Sequence, residues 1–345
     1  MNKTILSTAV SAVLLFSMCS TTQAKSWRIN NDTSKGAKFA SINAAMDSEL
    51  VTAGDTLYLD PGCTLSDNQN ITKQVTIIGC GYFRRTSPHK FATITGTINL
   101  QTSGIKLEGL SCSNIDFTSR YTQDNVIIER CKTGQIYWRT YNGNCHGYNV
   151  TIRQCYITGS IYGGSDCSTG LTMENCIVIS SDRINSIGEN STISNNYFHL
   201  DYSNGSCVQI DNPNTIVKNN IIVNSSTDTR AKDFSGEATF INNICTSRTS
   251  GGTNSKAITY TNINDFESAL FALTGLNDER YTLKDDSPAK GWADDDGDCG
   301  PFGGQYPYVP GGMPSAAPYF TRATIGAKAT GNELSVSLQI VQQEP

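Results

Sequence analysis

Leu171-Thr-Met-Glu-Asn-Cys176 has close counterparts on both sides of it. They read Val126-Ile-Ile-Glu-Arg-Cys131, Val150-Thr-Ile-Arg-Gln-Cys155, Ser191-Thr-Ile-Ser-Asn-Asn196, Thr215-Ile-Val-Lys-Asn-Asn220 and Ala238-Thr-Phe-Ile-Asn-Asn243. The six copies end 24, 21, 20, 24 and 23 residues apart. Repeats of this length are units too small to bury an apolar face alone, so they must stack. Within each copy the first and third residues are mostly apolar and the fourth is mostly charged or polar. This period-two alternation predicts a short strand with one face inward. The closing Cys or Asn pair suits a sharp turn, because Asn tolerates the left-handed backbone region. One strand per repeat, always in the same phase, predicts a chain wound as a coil, with equivalent strands about 4.8 Å apart in parallel sheets.

With its ladder of Cys131, Cys155, Cys176, Asn196, Asn220 and Asn243 at one turn, the sequence resembles the right-handed parallel β-helix proteins of the pectin-lyase-like superfamily. Val75-Thr-Ile-Ile-Gly-Cys80 and Ile105-Lys-Leu-Glu-Gly-Leu110 are looser copies, and the resemblance covers roughly residues 38–304. It implies an all-β solenoid. It does not select an activity, since this scaffold carries lyases, hydrolases, esterases and inert adhesins.

The chain has 345 residues, 38% of them hydrophobic, and a net charge of −5. Thin coils with many polar turns account for the low apolar share, and the modest charge gives no reason to expect a nucleic acid partner. No apolar run of membrane-spanning length follows the first two dozen residues. Residues 1–24 read as an export signal, with Lys3, an apolar stretch to Phe16 and a small-residue cleavage site at Thr22-Gln-Ala24. The expectation is an exported monomer, periplasmic, secreted or at the cell surface. Lipidation at Cys19 is the competing reading, against which stands the bulky Met18. Domain organisation follows as residues 1–24 signal, 25–304 β-helix, and 305–345 linker and tail.

Twelve cysteines in an exported chain would suggest disulfides. Cys131, Cys155 and Cys176, however, share one ladder position and read as small buried core residues. Cys145 and Cys167, in loops just before consecutive strands, are the best candidate pair for a disulfide.

Toward the N terminus, Phe39, Ile42, Ala45 and Met46 have helical spacing. A short helix here would close the open end of the coil. Arg84, Arg85, His89 and Lys90 make a basic loop cluster. Toward the C terminus, residues 263–271 read as an irregular segment on the last coils, residues 281–304 resemble a closing coil, and residues 323–328 and 333–341 read as a hairpin.

Candidate chemistry lies on the strand that begins each new coil: Gln135-Ile-Tyr-Trp-Arg139, Ser160-Ile-Tyr-Gly163, Arg183-Ile-Asn-Ser-Ile187, Cys207-Val-Gln-Ile-Asp211 and Arg230-Ala-Lys-Asp-Phe234. With Ile136, Trp138, Ile161, Ile184, Val208, Ile210, Ala231 and Phe234 inward, the outward stripe is Tyr137, Arg139, Tyr162, Arg183, Asn185, Gln209, Asp211, Arg230 and Lys232. Tyrosine faces stack on sugars and arginine forks pair with carboxylates, so the stripe points to an extended acidic polysaccharide. Tyr137, Arg139, Tyr162, Asn185, Gln209 and Asp211 would bind substrate. The resemblance further implies β-elimination with a Lys or Arg base, often with Ca²⁺, for which Lys232, Arg230 and Arg183 are the candidates. The sequence lacks the acidic cluster and the arginine motifs of pectate lyases, and it offers few of the aspartates a hydrolase would need. His146 is a lone loop histidine. Asp294, Asp296 and Asp298, around a glycine turn, are candidates for a structural Ca²⁺ site. The alternative function is a non-catalytic adhesin or structural protein.

Overall fold

The computed structural model describes residues 24–83, 91–139, 147–163, 168–246, 255–258, 262–275, 277–313, 319–325 and 336–341, the last two as backbone only. The export segment, Cys19, the basic cluster at 84–90, His146 and the Cys145–Cys167 pair lie outside the described residues.

Each repeat forms the strand its alternation predicts, and these strands stack in register. Thr151, Ile152 and Arg153 pair with Ile127, Ile128 and Glu129 on one side and with Thr172, Met173 and Glu174 on the other, all parallel. The resulting sheet has ten strands running from Ser26–Ile29 to Thr239–Ile241, so the looser copies at 75–80 and 105–110 belong to it. A second, sixteen-stranded sheet divides beyond Ser111–Phe117, which pairs with both Lys132–Thr133 and Gln135–Trp138. From there each coil has three strands. The fold is a right-handed parallel β-helix, the hand that parallel crossovers take in nearly every case.

The interior is one continuous apolar column from Ile29 to Cys245. Beside it runs the predicted ladder. Cys131, Cys155, Cys176, Asn196, Asn220 and Asn243 are each fully buried and lie in one row. Each of the last five accepts the amide of the ladder residue one coil earlier: Cys131 N donates to Cys155 Sγ, Cys155 N to Cys176 Sγ, Cys176 N to Asn196 Oδ1, Asn196 N to Asn220 Oδ1 and Asn220 N to Asn243 Oδ1. Burial pushes the thiols of Cys131 and Cys155 well above their ordinary value, so they behave as inert core groups. All nine described cysteines are buried.

The residue before each ladder member sits in the left-handed region: φ is 54° at Arg130, Gln154 and Asn175, 55° at Asn195, 58° at Asn219 and 50° at Asn242. That twist aims these six side chains out of the corner, where a strap formed by residues 292–313 crosses the coils in the reverse direction. Asn242 donates to Trp292 O, Asn195 to Asp298 O, Asn175 to Pro301 O and Gly303 O, Gln154 to Pro307 O, and Arg130 to Met313 O. The segment expected to form a closing coil is therefore a strap lying across the repeats, and its bonds continue past residue 304. At its end Gly311 and Gly312 have positive φ and press against Phe83 O and the Tyr82 ring, where no Cβ fits. Beneath it Lys106 bridges Glu108 and Glu129, at 2.9 and 3.0 Å, and Arg153 bonds Glu129. The carboxylates of Glu108 and Glu129 are thus buried and paired.

Helix α1 (Ile42–Met46) closes the first coil, burying Ile42, Ala45 and Met46, and is capped by Ser41. Residues 263–270 are helical, not irregular. Helix α2 (Ile263–Leu270) is capped by Asn262 and presents Phe266, Glu267 and Leu270 to the outer face of the second sheet, against Ile177, Tyr197 and Ile221. The i, i+3, i+7 spacing of Ile263, Phe266 and Leu270 carries that signal. Glu267 is buried by this docking and accepts Tyr197 Oη–H at 2.7 Å, with His199 Nδ1 at 3.1 Å. Burial opposes its charge, but the bonds from His199 and Tyr197 outweigh that and hold the carboxyl below its usual value. Stability from this carboxylate is therefore present above the ordinary Glu range and lost as pH falls through the lowered folded value. The expected result for Glu267→Gln is a loss of about 1–3 kcal/mol near neutral pH. In denaturant titrations the gap to wild type narrows as pH falls below the ordinary Glu range; a gap that stays constant would contradict the pairing.

Strands Tyr319–Ile325 and Val336–Val341 pair antiparallel, as the hairpin pattern in the tail predicts.

Candidate functional site

All eight residues assigned to the interior of the stripe strands are buried, and all nine assigned outward lie off the core. The strands that carry them are Gln135–Trp138, Ile161–Gly163, Ile184–Asn185, Ser206–Gln209 and Lys232–Ser235, adjacent in that order. Register then lines up a single row. Asn70 neighbours Asn99, Asn99 neighbours Asp116, Asp116 neighbours Tyr137, and Tyr137 neighbours Tyr162. Asn185 follows, since Ile161 neighbours Ile184, and it in turn neighbours Gln209 and then Ser235.

At the centre of this row the rings of Tyr137 and Tyr162 lie 4.4 Å apart, tilted by 40°. The Arg139 guanidinium sits 5.1 Å from the Tyr137 ring and donates to Asp116 Oδ2, with Nε at 2.8 Å. Asp116 is itself buried. It was absent from the sequence-derived stripe, although the alternation of Ser111-Cys-Ser-Asn-Ile-Asp-Phe117, with Ile115 and Phe117 inward, places it there. Behind the row, Phe117 and Trp138 stack at 4.7 Å and fix the backbone that carries Asp116, Tyr137 and Arg139.

Further along, Arg183 donates to Gln209 Oε1 at 3.3 Å and lies 5.0 Å from the Tyr202 ring. Gln209 passes its own amide hydrogen to Asp211 Oδ2 at 3.0 Å. Arg183, Gln209 and Asp211 thus form one linked group. The Arg183 guanidinium forms no ion pair with a carboxylate among the described residues, which leaves it an open cation of the face.

The structure does not bring Arg183, Arg230 and Lys232 together. Arg230 is turned onto the Asp228 carboxylate, with Nη2 at 2.9 Å, and onto Asn204. The hydrogen bonds from Arg230 pull Asp228 down to about 2, so the pair stays charged across the accessible pH range. Lys232 is exposed and sits opposite Ser206, two strand spacings (about 10 Å) from the Arg183 strand.

Two of the three aspartates expected to hold calcium are engaged by other groups. Asp294 gives Oδ2 to Lys218 at 2.8 Å and Oδ1 to Asn219 at 2.7 Å, while Asp298 Oδ1 accepts the Gly291 amide. Among the described residues no three side chains of His, Cys, Asp or Glu converge as a metal would require. The Lys218 ammonium fills the cationic position, and the acidic turn serves to anchor the strap.

No helix of the described residues is long and apolar enough to cross a membrane. No family model matches the chain, and no curated protein matches it. Among solved structures it is similar to a pectin methylesterase from Aspergillus niger, at 14% identity and a TM-score of 0.35, over 75% of this chain and 93% of that one. A pectin methylesterase in complex with a hexasaccharide is similar at 12% identity and a TM-score of 0.33, over 76% and 94%. The assignment of the fold rests on the strand register given above, and the reading of the site rests on its own side chains.

Proposed function

We propose that the Asp116–Tyr137–Tyr162–Asn185–Gln209 face binds an extended acidic polysaccharide. The observation that carries this reading is the outward Tyr137–Tyr162 ring pair, 4.4 Å apart, in a row whose open cation is Arg183. A rigid parallel sheet presents one polar side chain per strand spacing, so a linear sugar chain laid across the strands meets a new contact on each coil. The tyrosine faces take the sugar faces, and Arg183 and the outer edge of Arg139 draw the carboxylates.

The test is affinity electrophoresis and calorimetry with polygalacturonate and alginate, with dextran as the neutral control. Expected results are binding of an acidic polymer, no binding of dextran, and weakening by raised salt. Tyr162→Ala and Arg183→Ala are each expected to weaken binding about tenfold, or about 1.4 kcal/mol. Equal affinity for dextran, or full affinity in both variants, would overturn the proposal.

A second reading, lyase chemistry on the same chain, is favoured by one observation: the exposed Lys232 side chain has no partner among the described residues, so a base stands available beside the face. It predicts ultraviolet absorbance from an unsaturated product, abolished in Lys232→Ala. Binding without that signal supports a non-catalytic role.

A further inference from the structure

On the opposite branch of the second sheet, a cavity of about 370 Å³ opens between the strand Tyr156–Ile157 and the chain that follows helix α2. Its walls are Tyr156, Leu273, Gly275, Asn277, Arg280 and Tyr281. The volume falls at the lower end of the range of about 300–1,000 Å³ typical of small-molecule sites.

Three groups at this cavity have no hydrogen-bond partner among the described residues: the hydroxyls of Tyr156 and Tyr281 and the guanidinium of Arg280. These groups converge on one concave site open to solvent, so they are available to a ligand that enters it. Arg280 is exposed, forms no ion pair among the described residues, and rests 5.6 Å from the Tyr281 ring at the cavity wall. The nearby Asp278 carboxylate is turned away, its Oδ2 held by Tyr308 Oη–H at 2.8 Å and by the Gly311 amide at 2.7 Å. The ring of Tyr281 is fixed from behind by Tyr197 and Phe271, and that of Tyr156 by Phe83. Burial raises both phenols, so they remain neutral donors at physiological pH.

We propose that this cavity is a binding site for a single small carboxylate-bearing sugar, a uronate, held by Arg280 through its carboxylate and by Tyr156 and Tyr281 through its hydroxyls. A planar guanidinium suits the carboxylate, and the phenols with Asn277 suit a ring edged with hydroxyls. The site faces away from the stripe and stands independently of the polysaccharide reading.

The experiment is calorimetric titration of the full chain with monomeric glucuronate and galacturonate, with glucose and inorganic phosphate as separate arms. The expected result is saturable binding of a uronate, none of glucose, and phosphate weaker than the uronate. Arg280→Gln, at an exposed position, keeps the wild-type melting temperature and lowers uronate affinity at least tenfold. Tyr156→Phe, which removes one hydroxyl and keeps the ring, lowers it less. Tyr162→Ala, in the stripe, leaves it unchanged. Absence of uronate binding in the wild type, equal affinity in Arg280→Gln, tighter binding of phosphate than of uronate, or loss in Tyr162→Ala would each overturn the assignment. The Tyr162 variant also separates failure of this site from failure of the stripe.

Discussion

Asn220→Leu is expected to lower unfolding stability by about 4 kcal/mol or more, because three to five buried polar groups lose their partners at once and each costs about 1–3 kcal/mol. Asn220 is fully buried. Its Oδ1 accepts Asn196 N at 2.9 Å and Asn196 Nδ2 at 3.0 Å. Its Nδ2 donates to Ile193 O at 2.9 Å, Lys218 O at 2.8 Å and Asn243 Oδ1 at 3.0 Å. Leucine is similar in shape but offers none of these, so the damage passes to the coils above and below. Cys155→Ala, at the same position in an earlier coil, removes volume, a weak Sγ–H donor and the weak sulfur acceptor of Cys131 N, and about 1–2 kcal/mol is expected. Denaturant titration of both variants decides it. Equal losses would mean that the ladder acts by packing alone.

The second large effect concerns the strap. Asn175 is 1% exposed, sits at φ 54°, and donates to Pro301 O at 2.9 Å and Gly303 O at 2.6 Å. Asn175→Gly keeps the backbone conformation and removes both bonds, so a loss of about 2–3 kcal/mol isolates the side-chain term. Asn175→Ala adds the left-handed strain of a Cβ, about 1 kcal/mol more. Both variants are expected to expose residues 292–313 to protease before the coils unfold. A glycine variant as stable and as protease-resistant as wild type would show that the strap is held by other contacts.

These two predictions also mark where the sequence was informative. The ladder was legible because every coil repeats it in phase, and the stack of Cys131, Cys155, Cys176 and Asn196 is found in one row. The interior and exterior of the stripe were legible for the same reason, since alternation within a strand is a local signal. The strap was not. Arg130, Gln154, Asn175, Asn195, Asn219 and Asn242 share a position whose residue types vary, and their partners lie 50–183 residues away with no periodicity of their own. Helix α2 was missed in spite of its apolar spacing, because it follows the last repeat and binds a face the repeat pattern does not mark. The Tyr156–Arg280–Tyr281 cavity joins a repeat strand to that later segment, so no local pattern could have assembled it. The placement of Arg230 was not legible for another reason. Strand alternation says which way a side chain leaves the sheet, but not that Asp228, two residues before Arg230, captures it.

The most direct test of the account is to cross-link a photoreactive oligouronate to the protein and map the labelled peptides. The account predicts labels recurring once per coil, in the peptides that hold Tyr137, Tyr162, Asn185 and Gln209, and none in the strands 151–153, 172–174 and 192–194 of the first sheet. Labels on the first sheet, or none on any of the four stripe peptides, would contradict it.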